Sequence, residues 1–534
     1  MKQYINLLFS IATGLLLAVS WPENGFTPLL FIAFVPLLFV QQRLGDTGKR
    51  GMFLYAWLAF FIWNVLTTWW VWNSTEWGSL AAFALNSLFM AVFFYVFHLS
   101  KKKLFNNQRG HYILIFYWVT FEFLHMNWDL TWSWLNLGNA FATHPSWIQW
   151  YDITGALGGT VWVLAINILI FQVLNGYKAK QPNSHLMITG SVLVVSLLGP
   201  LLFSMITYHQ YAEKGNPVNV VVVQPNTDPY NEQYALSPDS LVSRYLILAK
   251  EKMSENTDYV VLPESALQED IWEESLQYSI NLNRLKSFLR DYPRASIITG
   301  ATTYRNILPD EPRTNAARKF RSRPGAYYAY NTAFLIENEG SLQVHHKSKL
   351  TPGAEIMPSW GILKPIEALA IDLGGTVGTL KKDDRPNMFK RLNPDLNASP
   401  VICYESVYGE FVAQSVRLGA SIVVVITNDG WWGETPGYRQ HLLFSVLRAI
   451  ETRRDVARSA NTGVSAFINQ RGDILHQTPY WKPAVIAQTL SANNEMTYYV
   501  MNGDYLGRVA GYISALIFLV SFTQGFLRKR KSYS

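Results

Sequence analysis

A chain of 534 residues has room for two or three domains, and its 16% of charged residues against 49% hydrophobic and 14% aromatic falls below the roughly 25% charge of soluble proteins, which points to a membrane. Much of the +7 net charge sits beside apolar segments as anchoring charge, which argues against a nucleic-acid partner. One cysteine excludes an internal disulfide and any multi-cysteine metal site.

Apolar segments of membrane-spanning length fall at 4–20, 26–41, 52–72, 79–99, 111–126, 154–174, 186–206 and 507–527, so about eight transmembrane helices are expected. The first resembles a signal peptide but no small-residue cleavage site follows it, and Trp21-Pro22 is a poor one, so it is read as a helix. Lys2, the Arg43–Lys49–Arg50 loop, Lys101 to Lys103 with Arg109, Lys178 with Lys180, and Arg528 to Lys531 alternate with loops 21–25, 73–78 and 127–153, which hold no Lys or Arg. By the positive-inside rule both termini are cytoplasmic and the segment 207–506 lies on the outer face. The expected domains are therefore 1–206 with seven spans, 207–506 outside the cytoplasm, and 507–534 with one span and a basic tail.

Glu122 is an ionisable residue inside a span, with His125 one turn on; lying near the end of its segment, it reads as a structural hydrogen-bond partner rather than a functional carboxylate. Gly155 and Gly159 form a small-xxx-small pair suited to close helix packing. Five tryptophans in 127–153 (Trp128, Trp132, Trp134, Trp147, Trp150) suggest an interfacial belt.

The outer segment alternates strand-like runs at 218–223, 259–262, 296–303, 329–336, 341–346, 400–403 and 421–427 with helical patterns at 238–254, 273–291, 408–418 and 438–458. Ser237-Pro238 supplies a cap and a first-position proline. Alternation of this kind predicts an α/β domain with helices covering its sheets. The Arg-rich stretch 309–325 reads as an exposed loop.

Glu264, Lys347 and Cys403 each end a predicted strand, and sites of open α/β sheets gather at strand carboxyl ends. Cys403 ends an apolar run and precedes a helical pattern carrying Tyr408, Phe411, Val412, Ser415 and Leu418, so the thiol is expected at the positive end of a helix dipole, which favours thiolate. The chemistry available is attack by Cys403 on a carbonyl, proton transfer through Glu264, and stabilisation of thiolate and oxyanion by Lys347 with the backbone N–H of Tyr404. Singly, each residue has a plainer explanation: Glu264 as a helix cap, Lys347 as a surface charge, Cys403 as core. The adjacent His345 and His346 point to opposite faces of a strand, which disfavours a shared metal, and Gly374-Gly375 and Gly378 lack the strand–loop–helix setting of a phosphate loop.

Pro263-Glu264-Ser265, Lys347 with Leu350-Thr351-Pro352-Gly353-Ala354-Glu355, and Cys403-Tyr404-Glu405 resemble the Glu-Lys-Cys signature of the nitrilase (carbon–nitrogen hydrolase) superfamily. The whole arrangement is similar to the apolipoprotein N-acyltransferase family of bacterial inner membranes, with further matches at Val223-Gln224-Pro225-Asn226, Asn428-Asp429-Gly430-Trp431-Trp432-Gly433, Arg448 to Arg454, and Asn461-Thr462-Gly463. The aromatic before Gly-Glu is missing, and Tyr230 and Tyr234 stand where a Trp would follow the Val-Gln-Pro-Asn run. The resemblance implies a nitrilase-like αββα sandwich beside the helical membrane domain. It makes Glu264 the general base, Lys347 the oxyanion and thiolate stabiliser, Cys403 the acyl acceptor, and Glu355 and Glu405 supporting carboxylates.

The implied reaction is a ping-pong acyl transfer from a phospholipid, through a thioester, to the amine of a diacylglyceryl-cysteine apolipoprotein. It needs no metal and no nucleotide cofactor, and a monomer in the bacterial inner membrane is implied. Water must be kept from the thioester, for which Ile356, Met357, Trp360, Ile362 and Leu363, Trp431 and Trp432, or Tyr480 and Trp481 could form a lid. Two rival readings are a membrane-tethered amidase, which leaves eight spans unexplained, and a transporter with an outer binding domain, which the scarcity of intramembrane charge disfavours.

Overall fold

The computed structural model describes residues 2–23, 25–233, 235–356 and 379–531. Tyr234, Met357, Trp360, Ile362, Leu363, Gly374, Gly375 and Gly378 lie outside the described residues. The chain divides into two compact units, Met1–Trp69 with Ser79–Gln210 and Asp504–Ser534, and Trp70–Gly78 with Tyr211–Gly503.

The first unit is helical. Among the described residues, six helices are long and apolar enough to cross a membrane: Thr27–Thr47, Met52–Asn73, Glu76–Phe105, Ala156–Lys178, Asn183–Gln210 and Tyr505–Gln524. Tyr4–Val19 and Ile113–His125 are apolar but shorter, which leaves six candidates of full length where eight spans were expected. Asn183–Gln210 buries none of its apolar window against protein and exposes Met187, Val195 and Ile206, a surface suited to lipid and not to water.

Glu122 is buried within this unit and accepts from Trp118 Nε1 at 3.0 Å, the Leu137 amide at 2.8 Å and Thr160 Oγ1 at 2.6 Å. Three donors around one buried carboxylate fit the structural role read from the sequence. The Trp-rich segment folds into short 3-10 turns, with Trp134 only 1% exposed and the other four half-buried. Gly159 lets two segments approach, since a Cβ there would lie 2.9 Å from the Gly138 Cα.

The second unit contains two sheets. Its strands are β1 (Asn216–Gln224), β2 (Tyr259–Val261), β3 (Leu267–Trp272), β4 (Ser296–Asn306), β5 (Arg318–Lys319), β6 (Ala326–Glu337), β7 (Gln343–His346), β8 (Ala398–Ile402), β9 (Ile422–Thr427), β10 (Val456–Ala460), β11 (Ala466–Ile468), β12 (Ile474–Gln477) and β13 (Ala484–Ala492). One sheet runs β13-β1-β2-β4-β6-β5, with β3 on β4 and β7 on β6; the other runs β12-β11-β10-β9-β8. The pairs β1–β2, β2–β4, β8–β9 and β9–β10 are parallel, which suits the Val/Ile runs of β1, β2 and β9, buried on both faces.

Side-chain alternation sorts these runs into two cores. Val218, Val220 and Val222 face inward with Ile298, Ile402, Val424 and Phe467, between the two sheets. Val221 and Val223 face outward against Leu241, Val242, Tyr245 and Leu285, from helices Pro238–Lys250 and Ile280–Phe288. Helices Gly409–Arg417 and Pro436–Thr452 pack against strands of the second sheet. Layers thus stack α, β, β, α, and each fully buried aliphatic side chain contributes roughly 1.5–3 kcal/mol. Ser237 caps its helix as read, accepting from the Ser240 amide.

Candidate active site

Parallel strands bring their carboxyl ends to one side of each sheet, and the loops leaving those ends meet. Glu264 follows β2, Lys347 follows β7, Cys403 follows β8, Asn428 and Asp429 follow β9, and Asn461 follows β10. The Asn226 amide donates to the Asn461 carbonyl at 2.9 Å, and the Asn428 amide donates to Glu264 Oε2 at 3.0 Å, so loops from both sheets are tied together. Gly300 on β4 permits this approach, because a Cβ there would come within 2.7 Å of the Glu264 Cα.

Lys347 is 1% exposed, and its Nζ lies 3.2 Å from Glu264 Oε1 and 2.9 Å from Glu355 Oε2. Burial alone would lower its pKa, but Glu264, Glu355 and Cys403 raise it well above the usual lysine range, so the cation is held. Burial opposes ionisation of Glu355 too, yet Lys347 and the Thr351 and Asn331 donors keep its carboxyl below the ordinary value. Asn331 Nδ2 bridges the carboxylates, donating to Glu264 Oε1 and Glu355 Oε1 at 2.8 Å each.

Cys403 is half-buried at the edge of the inter-sheet core, with φ at +50°. A left-handed backbone at a non-glycine residue is strained and turns the side chain out of the strand line. Glu405 braces this turn: its carboxylate accepts from the Ile402 amide at 2.7 Å and the Ser348 amide at 2.6 Å, and lies 3.2 Å from His345 Nε2. One buried side chain thereby joins the cysteine turn to the residue after Lys347.

The thiol differs from expectation. Cys403 opens a 3-10 turn, Cys403–Val407, and the following α-helix begins only at Gly409, so no long helix dipole faces the sulfur. Burial and the Glu264 charge push the thiol pKa up, and Lys347 offsets them only in part. The Cys403 thiol is therefore favoured over its thiolate.

The carbon-nitrogen hydrolase family matches residues 219–495, more than half of the chain. The chain belongs to the carbon-nitrogen hydrolase family. Residues 13–169 match the apolipoprotein N-acyltransferase N-terminal domain. An apolipoprotein N-acyltransferase of Chlorobaculum tepidum is 28% identical over 527 residues, covering 96% of this chain and 95% of that one. One from Geobacter metallireducens is 26% identical over 519 residues, covering 93% and 92%. The crystal structure of an amidase from Nesterenkonia sp. aligns over 55% of this chain and 97% of that one, at 16% identity and a TM-score of 0.36.

Within this carbon-nitrogen hydrolase, Glu264, Lys347, Cys403, Glu355 and Glu405 come together at the strand ends, with Tyr404 next to the sulfur-bearing residue. Among the described residues no group of three or more His, Cys, Asp and Glu is placed to hold a metal ion. His345 and His346 do point apart, His345 to Glu405 and His346 to Glu273 and Asp383. Of the candidate lid residues, Trp431 and Trp432 are half-buried, Tyr480 stacks on Tyr438 at 4.2 Å, and Trp481 is 39% exposed. Tyr230 packs edge-on against Trp431 with ring centroids 5.2 Å apart. Asn331 was not anticipated, although an Asn in the mostly apolar and aromatic β6 was a visible irregularity. Asp429, which the sequence marks only as one residue of a longer motif, joins His441 and Arg458 in a buried network beside Cys403.

His346 carries a pH dependence. Burial would lower its pKa, but Asp383 and Glu273, with Glu273 Oε1 2.7 Å from Nε2, raise it to about 9 from an ordinary 6.5. A raised pKa contributes stability that is complete below pH 6.5 and lost as pH climbs through 9, each tenfold gain in proton affinity being worth about 1.4 kcal/mol. Thermal melting of detergent-solubilised wild type and His346→Gln will show a stability gap that is constant at low pH and narrows between these values. A gap independent of pH would contradict the assignment.

Proposed function

We propose that this chain transfers a fatty acyl group from a phospholipid to the N-terminal amine of diacylglyceryl-cysteine apolipoproteins, through a thioester on Cys403. The observation that carries the reading is the meeting of a buried carboxylate–ammonium pair, Glu264 and Lys347, with the Cys403 thiol, in a chain whose other unit has helices of membrane-spanning length. The names of relatives similar over nearly the full length support the same substrate classes.

Glu264 takes the thiol proton as sulfur attacks the ester carbonyl, and the negative oxygen is stabilised by Lys347 and the Tyr404 amide. Collapse breaks the acyl–oxygen bond, and the proton held by Glu264 passes to the departing lysophospholipid alkoxide. The acceptor amine then attacks the thioester, loses a proton to Glu264, and expels the Cys403 thiolate, which recovers that proton. Glu355 holds Lys347 in place and Glu405 holds the cysteine turn.

The site lies outside the cytoplasm of a bacterial inner membrane in this reading, with eight spans, both termini cytoplasmic, residues 207–506 catalytic and a monomer sufficient. The alternation of basic and uncharged loops supports this orientation.

Incubating membranes with isotope-labelled phospholipid and no acceptor will leave a labelled acyl mass on the peptide bearing Cys403, discharged on adding a diacylglyceryl-cysteine peptide. Absence of the adduct, or its loss to water as fast as to amine, would favour the amidase chemistry instead.

A further inference from the structure

Asp429, His441 and Arg458 form a buried chain that ends on the backbone of the nucleophile. His441 Nδ1 lies 2.8 Å from Asp429 Oδ1, and Arg458 Nη2 donates to Asp429 Oδ2 at 2.6 Å and faces His441 Nδ1 at 3.0 Å. Thr427 Oγ1 donates to the same Asp429 Oδ1 at 2.8 Å. The other ring nitrogen, Nε2, lies 3.2 Å from the Cys403 carbonyl oxygen and 3.1 Å from Ser406 Oγ. Ser406 Oγ in turn donates to the Cys403 carbonyl at 2.7 Å. None of Asp429, His441 and Arg458 is more than 1% exposed.

Burying three charged or titratable side chains costs desolvation, which their mutual pairing offsets. What they reach is one peptide group. The Cys403–Tyr404 bond is planar and trans, so its N–H points opposite to its C=O. Aiming the Cys403 carbonyl at His441 and Ser406 therefore aims the Tyr404 N–H away from them. The left-handed φ of Cys403 makes this peptide plane one that the chain would not hold unaided. Arg448 supports the rest of the turn from the same helix, donating to the Val407 carbonyl at 2.8 Å.

We infer that His441, with its proton on Nε2 and Nδ1 accepting from Arg458 Nη2, which Asp429 holds in place, is a positioning residue that donates to the Cys403 carbonyl together with Ser406 and so preorganises the Tyr404 amide as oxyanion donor. This rests on the acyl-transfer reading only in taking Cys403 as nucleophile. A preorganised donor matters where negative charge develops on a carbonyl oxygen, and not in a displacement at saturated carbon.

Two probes on full-length enzyme in detergent separate these cases. Iodoacetamide alkylates Cys403 by displacing iodide, forming a carbon–sulfur bond with no oxyanion, and the thiol proton again passes to Glu264. p-Nitrophenyl butyrate acylates it, forming the thioester and releasing p-nitrophenolate, with the thiol proton passing to Glu264. In His441→Ala, acylation should fall by about 10²-fold while alkylation stays within about threefold. His441→Gln, which keeps a side-chain N–H donor, should recover part of the acylation. Equal loss of both reactions, loss of alkylation alone, loss of neither, or a wild type inert to the ester would each overturn the clamp. Failure of the phospholipid-donor assignment shows separately, as a wild type acylated by the ester but not by phospholipid.

Discussion

Glu264→Gln will reduce acyl transfer by about 10³-fold or more while the protein still inserts in the membrane, and Cys403→Ser will do the same through the other partner. The reasoning starts from the thiol. Burial and the neighbouring carboxylate hold Cys403 protonated, so attack requires a base at hand. Donors to both oxygens hold Glu264 in position for this: Asn331 Nδ2 and Lys347 Nζ on Oε1, and the Asn428 amide on Oε2. An amide of the same shape turns an N–H toward one of these donors, cannot accept the thiol proton, and leaves a buried polar group mispaired at about 1–3 kcal/mol. Serine keeps the geometry but offers a hydroxyl whose proton is much harder to remove. Single-turnover acylation with labelled phospholipid measures both variants, and wild-type-like adduct on either would refute the role assigned to it.

Much of this arrangement was legible beforehand, and the exceptions have physical causes. Buried parallel strands declare themselves as short apolar runs, which is why 218–223 and 421–427 foreshadow β1 and β9. Residues at their ends carry chemistry by topology, so Glu264, Lys347 and Cys403 could be paired without distances. The helical pattern at 438–458 runs past the true end of the helix at Thr452, because the chain turns there through Arg453 at φ +51° and not through a glycine or proline. β10 then occupies 456–460, and its first three residues fall inside the expected helix. The pattern at 273–291 likewise spans a 3-10 turn and a separate helix that starts after Ser279, whose hydroxyl caps it by accepting from the Leu282 amide. β13 was overlooked because its half-exposed edge position gives it little hydrophobic signal. Asn331, His441 and Arg458 could not be assigned because what a buried polar side chain does depends on partners far away in sequence. His441 reaches residues 35 and 38 positions distant.

Lys347→Met will abolish turnover and also strongly destabilise the catalytic unit, and a second substitution separates these losses. Nζ stands between Glu264 and Glu355, at 3.2 and 2.9 Å. Without the cation two buried carboxylates face each other, and breaking a buried ion pair from one side costs roughly 3–5 kcal/mol. One carboxyl would take up a proton to relieve the repulsion, which also removes the base if that carboxyl is Glu264. Adding Glu355→Gln restores the charge balance: the amide can still accept from the Thr351 amide and can donate toward Glu264. The double variant should recover most of the melting temperature lost by Lys347→Met. Acyl transfer should remain at least about 10²-fold below wild type, because the oxyanion still lacks its charged donor. Recovery of activity along with stability would reduce Lys347 to a neutralising counter-charge, and no recovery of stability would mean that more than the carboxylate repulsion depends on it. Lys347→Arg tests the shape: a planar guanidinium cannot replace a compact ammonium between two carboxylates in a closed site, so charge alone should not rescue turnover.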